Sequence, residues 1–568
     1  MKKVLLLFVL VGFGLGLSAQ QVDVFDRVEK QFPEIPHGLL RAISLTNTQG
    51  HHLTDADYSF DVDDPSAMPR AYGMMGLVKD GKGCFRENLP LIAKLSGISE
   101  EAILSDPEAN VTAYAKAMVM VAEELRVSMD TPESCIPLIQ ELSELPLREE
   151  KDELPMMMML YSVYHYLGSD LKSLFKEDYA MLSSTGLSFS KETDYPEALW
   201  VPAPECNFEE RTKPISGVVI HYTEGSYAGC ISWFQNCDSQ VSAHYVIRSF
   251  DGQVTQMVRE RDKAWHARSA NGYTIGIEHE AYGDIISFFT EAMYASSSRL
   301  VRDICSRYES IDGHRTFYFD TLDNGMALNT GLHDLGGETA CIKIRGHQHY
   351  PDQSHTDPGP FWDWNYYYKK INEGTPITYL GGAGVEEGTL NHLNYGDDER
   401  RIWLIQSAVN TAITLTFSSF DLEKDYDFLW IYDGSNVYAP KIGRWNTHSP
   451  GSVTSSGNTL CVEFRSDCAT SAGGWRANWK VSHADVASSD EQVPIIVTPN
   501  PADDHIKVSL SSDDQFEVKV FDVVGRVFFQ TTEQSPLTID VSRWPRGIYT
   551  LQCTSQTTGA RFVERIIH

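Results

Sequence analysis

The chain has 568 residues, with 47 Lys and Arg against 78 Asp and Glu, a formal net charge of −31, and 42% hydrophobic residues. That length exceeds what one hydrophobic core serves and implies several domains, while the hydrophobic content excludes wholesale disorder. The acidity excludes nucleic acid as a partner, because a phosphate backbone demands a cationic surface.

Met1-Lys2-Lys3 precede an apolar run that ends in small residues near Ala19. This is the pattern of a signal peptide over residues 1–20. The run is short for a membrane anchor and lacks a basic stop-transfer flank, and no later stretch approaches the ~20 apolar residues that span a bilayer. Export permits disulfides. The ten cysteines include no CxxC pair, which argues against a thiolate zinc ribbon. Cys230–Cys237 and Cys461–Cys468 are close enough in sequence to be candidate bridges, with the connectivity left open.

Residues 21–175 read as helical. GLLRAISL, NLPLIAKLSGI, VTAYAKAMVMVAEEL and PMMMMLYSVYHYL carry apolar residues at three- and four-residue spacings. The Met156–Met159 run reads as helix core, since unbranched Met fills irregular gaps. Glu100 and Glu101 sit at a helix start, where acids complement the helix dipole. Residues 176–213 lack pattern and read as a connector. Over 214–373, short β-type runs (GVVIHY, AHYVIRS, TIGIEHE) alternate with helical ones, the texture of an α/β domain. Residues 378–483 change to short strands between Gly, Asn, Asp and Ser turns, an all-β sandwich texture. A Ser/Asp-rich linker over 484–492 leads to a second small all-β unit over 493–568. The expected fold class is therefore multidomain: one all-α domain, one α/β domain and two C-terminal all-β sandwiches.

The strongest chemical signal lies in the α/β part. His221 ends the apolar run of GVVIHYTEG, and IRGHQHYPDQSHTDPGP follows much later. A metal hydrolase needs a few neutral imidazoles or carboxylates around one ion, with one position left for water. A His at a strand end, a His after a Gly turn and an Asp in an Asp-Pro-Gly turn can supply them. This segment, through VIHYTEG, SAHYVI with DGQV, AWHA, TIGIE and GH…TDPGP, resembles the type 2 N-acetylmuramoyl-L-alanine amidases, whose relatives include the peptidoglycan recognition proteins. The resemblance implies a central mixed sheet, Zn2+ bound by His221, His347 and Asp357, and Glu278 as the catalytic carboxylate. Many family members carry Lys two residues before the Asp. Here His355 holds that place, where it can donate a hydrogen bond to an oxyanion. Ala243 stands where some relatives have Tyr. His349 competes with His347 as a ligand, but the spacing favours His347; His244 and His266 read as wall residues. Cys230 and Cys237 resemble the short disulfide of the recognition proteins.

Three further resemblances complete the reading. IPHGLLRAISLTNTQG, PRAYGMMGLV and the helices after them resemble a lysozyme-like transglycosylase domain. Active members carry Glu where this chain has Asn47, and an amide cannot protonate a glycosidic oxygen. The resemblance thus implies a degenerate glycan-binding module; a purely structural helical domain is the alternative. YDFLWIYDG and GWRANW, with the strands around them, resemble a CUB domain, which implies Ca2+ at Glu423, Asp427 and Asp467; the alternative is an ordinary solvated acidic loop. VTPNP, Gly525-Arg526 and Gly547-Ile548-Tyr549 resemble the C-terminal sorting domain of the type IX secretion system, which implies passage through that machinery to the cell surface or medium. The expected activity is hydrolysis of the amide between N-acetylmuramic acid and L-alanine in peptidoglycan or muropeptides. A non-catalytic peptidoglycan-binding or surface adhesion protein is the alternative.

Overall fold

In a computed structural model, the described residues are 17–568 apart from 59–63, 65, 170–192, 284, 320, 322–325, 408–410, 482–495, 500–501, 503, 510–514, 523–526, 543, 545–546 and 557–560. The expected signal peptide lies largely outside them, as do the 484–492 linker and the Gly525-Arg526 turn. Among the described residues no helix is long and apolar enough to cross a membrane. Residues 1–482 and 483–568 form two compact units.

The first unit begins with helices. Pro107–Leu125 is the longest, started by Asp106, whose side chain accepts from the Glu108 amide, and by Pro107 at the first helical position. Met156, Met158 and Met159 of helix Glu153–Tyr166 are buried in the core. The region is not all-α: Ala71–Tyr72 and Leu77–Val78 pair as a short antiparallel hairpin, because the chain doubles back between Gly73 and Gly76. Asn47 is buried and donates from Nδ2 to the Met75 carbonyl, tying its helix to this hairpin.

The α/β domain is built on a six-stranded mixed sheet. In spatial order its strands are Ile344–Gly346, Gly217–Tyr222, Thr274–His279, Tyr245–Ile247, Val254–Gln256 and Leu199–Trp200. The first four run parallel. All six residues of Gly217–Tyr222 are buried, the near-continuous apolar texture of a strand covered on both faces. Residues 199–200 and 208–210, inside the stretch read as a connector, supply short strands that pair with Val254–Gln256 and Asp262–Ala264.

The next domain is a sandwich of a five-stranded and a four-stranded sheet. Strand Gly474–Val481 alternates buried and exposed residues along most of its length, the signature of a sheet with one face on the core. It is seated against the α/β domain: Arg315 donates to Asp398 at 2.9 and 3.0 Å, and Tyr318 Oη donates to the Tyr426 carbonyl at 2.7 Å.

The expected disulfides are corrected. The bridges are Cys206–Cys237 and Cys341–Cys468, with Cα separations of 5.5 and 5.7 Å. Cys461 lies inside strand Thr459–Arg465, and four strand steps of about 3.3 Å carry the chain away from it before Cys468 is reached, beyond disulfide reach. Cys230 is buried on helix Tyr227–Phe234 as a free thiol.

The second unit holds a three-stranded sheet (Ile496–Thr498, His505–Ser509, Leu537–Asp540) and a four-stranded one (Val527–Gln534, Gln515–Asp522, Ile548–Ser555, Arg561–Ile567) around one core that includes Ile506, Val518 and Leu551.

Candidate active site

Three neighbouring parallel strands deliver the site. His221 is the fifth residue of its strand and pairs in register with Glu278 on the next. On the other side, Gly346 ends the strand whose partner is Ile220, so His347 emerges beside His221. Asp357 returns from the following loop, with its carbonyl accepting from the Gln348 amide at 3.1 Å. Gly346 is required there: a Cβ would stand 2.5 Å from Pro358 Cδ. Gly276 of TIGIE likewise leaves room for His266, whose ring would lie 2.6 Å from a Cβ.

His221, His347 and Asp357 are 3%, 5% and 2% exposed, and one ligand atom from each lies within 4.8 Å of the others. His221 Nδ1 is 2.8 Å from Asp357 Oδ2, and His347 Nδ1 is 3.0 Å from Asp357 Oδ1. The outward nitrogens fix the tautomers. Gln353 Nε2 donates to the Ala267 and Pro351 carbonyls, so its Oε1 accepts from His347 Nε2 at 2.7 Å. Thr274 Oγ1 donates to the Ala270 carbonyl and accepts from His266 Nε2, which turns His266 Nδ1 toward His221 Nε2 as an acceptor at 3.0 Å. Both inward Nδ1 atoms therefore present lone pairs to a carboxylate. Burial lowers the His221 pKa to about 4, outweighing Asp357. Neutral imidazoles and an ionised carboxylate facing one another fit a divalent cation between them.

Glu278 Oε2 is buried without a hydrogen-bond partner, and desolvation followed by repulsion from Asp357 raises its pKa well above the usual value. His355 stacks on His347 with ring centroids 5.2 Å apart. Its pKa is lowered, chiefly by burial. These side chains line one cavity of about 730 Å³.

The other histidines hold structure. His349 Nδ1 accepts from the Gly346 amide and its Nε2 meets the Leu328 carbonyl. His244 Nδ1 accepts from the Gly276 amide. Ala243 is fully buried. Sequence reasoning missed Gln353 and the contribution of Asp64 and Met68 to the cavity; no motif spacing marks either.

A second carboxylate group forms in the sandwich domain, where Glu423, Asp427 and Asp467 place oxygens within 4.8 Å of one another. Asp427 accepts from Tyr395 Oη and the Asp467 amide. Burial and then mutual repulsion push Glu423 up to about 7; Asp427 also rises to about 7, mainly through burial.

Comparison with known proteins matches three family models: N-acetylmuramoyl-L-alanine amidase over residues 211–360, CUB domain over 386–479 and secretion system C-terminal sorting domain over 497–568. The N-acetylmuramoyl-L-alanine amidase A of Achromobacter lyticus is 39% identical over 187 residues, covering 32% of this chain and 97% of that protein. The bone morphogenetic protein 1 homolog of Strongylocentrotus purpuratus is 33% identical over 115 residues, but only 18% of its length is spanned. The structure of PlyL aligns over 30% of this chain and 92% of its own, at 15% identity and a TM-score of 0.20. The chain belongs to the N-acetylmuramoyl-L-alanine amidase family. It is a peptidoglycan amidase that also carries a CUB domain and a type IX secretion sorting domain.

Proposed function

We propose that the protein is a zinc-dependent enzyme that hydrolyses the amide joining N-acetylmuramic acid to the first L-alanine of the stem peptide. The observation that carries this reading is the pair of inward Nδ1 lone pairs, on His221 and His347, facing the Asp357 carboxylate beside an unpartnered Glu278 oxygen. His221, His347 and Asp357 would hold a zinc ion, which when bound would acidify a water and polarise the scissile carbonyl. Gln353 and His266 orient the imidazoles. Glu278 accepts the proton of the attacking water and delivers it to the leaving nitrogen, a role that suits a desolvated carboxylate of raised basicity. His355 donates to the oxygen that becomes negative. Losing such a donor typically costs ~10²–10³ in rate.

In this reading residues 1–20 are a signal peptide, 21–175 a helical module, 214–373 the amidase, 378–483 the CUB domain and 493–568 the sorting tail. The helical module is a degenerate lysozyme-like domain: Asn47 is buried against Met75 and offers no acid for glycosidic cleavage. Calcium at Glu423, Asp427 and Asp467 would relieve their mutual repulsion, as a hard cation suits three carboxylates.

The test is incubation of the purified full chain with soluble muropeptides, with and without a chelator, followed by mass spectrometry. Free stem peptide that disappears on chelation and returns with zinc is the expected result. No release by the zinc-loaded protein from fragments or polymer would remove the enzyme reading.

A further inference from the structure

We propose that Asp64 and Ser66–Met68 of the helical module are a working wall of the amidase cleft, with Asp64 positioning His355 and Met68 contacting substrate. This inference rests on the amidase reading and assigns the helical module a part in its catalysis.

The same cavity that holds His221, Glu278 and Asp357 is lined by Asp64, Ser66, Ala67 and Met68. These residues come from more than 150 positions upstream in the chain and cannot belong to the catalytic sheet. They are held in place from both sides. Lys82 Nζ donates to the Asp64 carbonyl at 2.6 Å and the Ala67 carbonyl at 2.9 Å. From the amidase side, Trp233 Nε1 donates to the Ser66 carbonyl at 3.1 Å. Met68 Cε covers Gly225, four residues beyond His221, so closely that a Cβ at Gly225 would lie 1.8 Å from it.

The docking behind this wall is apolar and extensive. Leu53 and Ala71 of the helical module share a buried cluster with Tyr222, Ala281, Tyr282 and Phe288 of the amidase. His165 stacks on Phe250 at 4.0 Å. Apolar burial of this kind favours a fixed pose over a tethered one.

Asp64 is oriented within the wall. The Ser66 amide and Oγ both donate to Asp64 Oδ1, at 2.8 and 2.5 Å. That leaves Oδ2 facing His355 Nε2 at 3.6 Å. With one face stacked on His347 and its Nε2 edge toward Asp64, the His355 ring is approached by one residue from each domain. At 3.6 Å the contact is longer than a hydrogen bond, so Asp64 biases the ring without consuming the single N–H that His355 offers a developing oxyanion, a donor that works only when its position is set in advance. Asp64 acts through His355 and is a positioning residue; Met68 offers an apolar surface to the cavity that holds His221 and Glu278.

The experiment uses the zinc-loaded full chain, with N-acetylmuramoyl-L-alanyl-D-isoglutamine as soluble substrate. Turnover by the parent chain establishes the amidase reading separately, so the variant kinetics test the wall alone. Asp64→Ala should lower kcat about tenfold with KM nearly unchanged, and Asp64→Glu should recover most of that loss. Met68→Ala should raise KM severalfold while kcat stays within about twofold. Zinc content and far-UV circular dichroism check that each variant is folded and loaded, and Met68→Ala keeps the test alive if Asp64→Ala does not fold. Kinetics equal to the parent in both folded variants, or a kcat loss in Asp64→Ala that Asp64→Glu fails to recover, would overturn the inference.

Discussion

His221 and Glu278 occupy the same step of the ladder between two adjacent parallel strands. The proposed metal ligand and the proposed proton carrier are thereby placed side by side by backbone pairing, without reliance on a loop. A third parallel strand brings His347 to the same sheet edge. The site follows the rule that open α/β sheets bind at the carboxyl ends of their strands.

On the proposed function, that pairing separates metal binding from proton transfer. Glu278→Ala should keep its zinc, because the three inward donors are untouched, yet lose turnover by a factor on the order of 10²–10⁴, the usual range for a general acid–base. Metal content by atomic absorption beside a muropeptide assay decides it. Parent-level activity in the variant would reassign the proton carrier.

Gln353 Oε1 accepts from His347 Nε2, and Gln353 is itself fixed by donating its Nε2 hydrogens to two backbone carbonyls. Gln353→Ala should weaken zinc binding about 10–100-fold, as loss of an orienting partner typically does. Competition with a chromogenic chelator measures this. An unchanged zinc affinity would mean that the imidazole is oriented by stacking alone.

The legible part of the site was the part written as short, rigid motifs. His221, Glu278, His347 and Asp357 each sit at a strand end or a Gly- or Pro-bounded turn, where chain geometry and chemistry coincide. Gln353 lies between two motif residues in HQHYPDQSH and has no spacing signal. Asp64 reaches the cleft only because two domains dock, which local pattern cannot express. The disulfide expectation failed for a related reason. Nearness in sequence suggested Cys461–Cys468, but an extended strand separates such a pair, while domain docking brings Cys341, 127 residues upstream, to Cys468.

The Cys341–Cys468 bridge ties the amidase to the CUB domain. Cys341→Ser should destabilise the chain by about 2–4 kcal/mol, the usual effect of opening a long loop, and leave Cys468 open to alkylation. Thermal unfolding and non-reducing peptide mapping read both effects. A Cys461–Cys468 peptide in the map of the parent chain would refute the docking described above.

The acidic group of the CUB domain gives a pH-dependent prediction. Glu423 and Asp427 titrate near 7 in the folded chain, against about 4 for free carboxyls. Below pH 4 both folded and unfolded chains hold these protons, so the shifts have no effect. Between about 4 and 7 the unfolded chain has released protons that the native chain still holds, so native stability falls as pH rises through that window. Calcium requires ionised carboxylates and should therefore act mainly above it. Millimolar calcium should raise the unfolding temperature at pH 8 by several degrees and at pH 5 hardly at all. Asp427→Asn should flatten the pH dependence measured in chelator and abolish the calcium increment. Differential scanning calorimetry at the two pH values, with calcium or chelator, supplies the comparison. An equal calcium increment at both pH values, or one that survives Asp427→Asn, would show that the ion binds elsewhere.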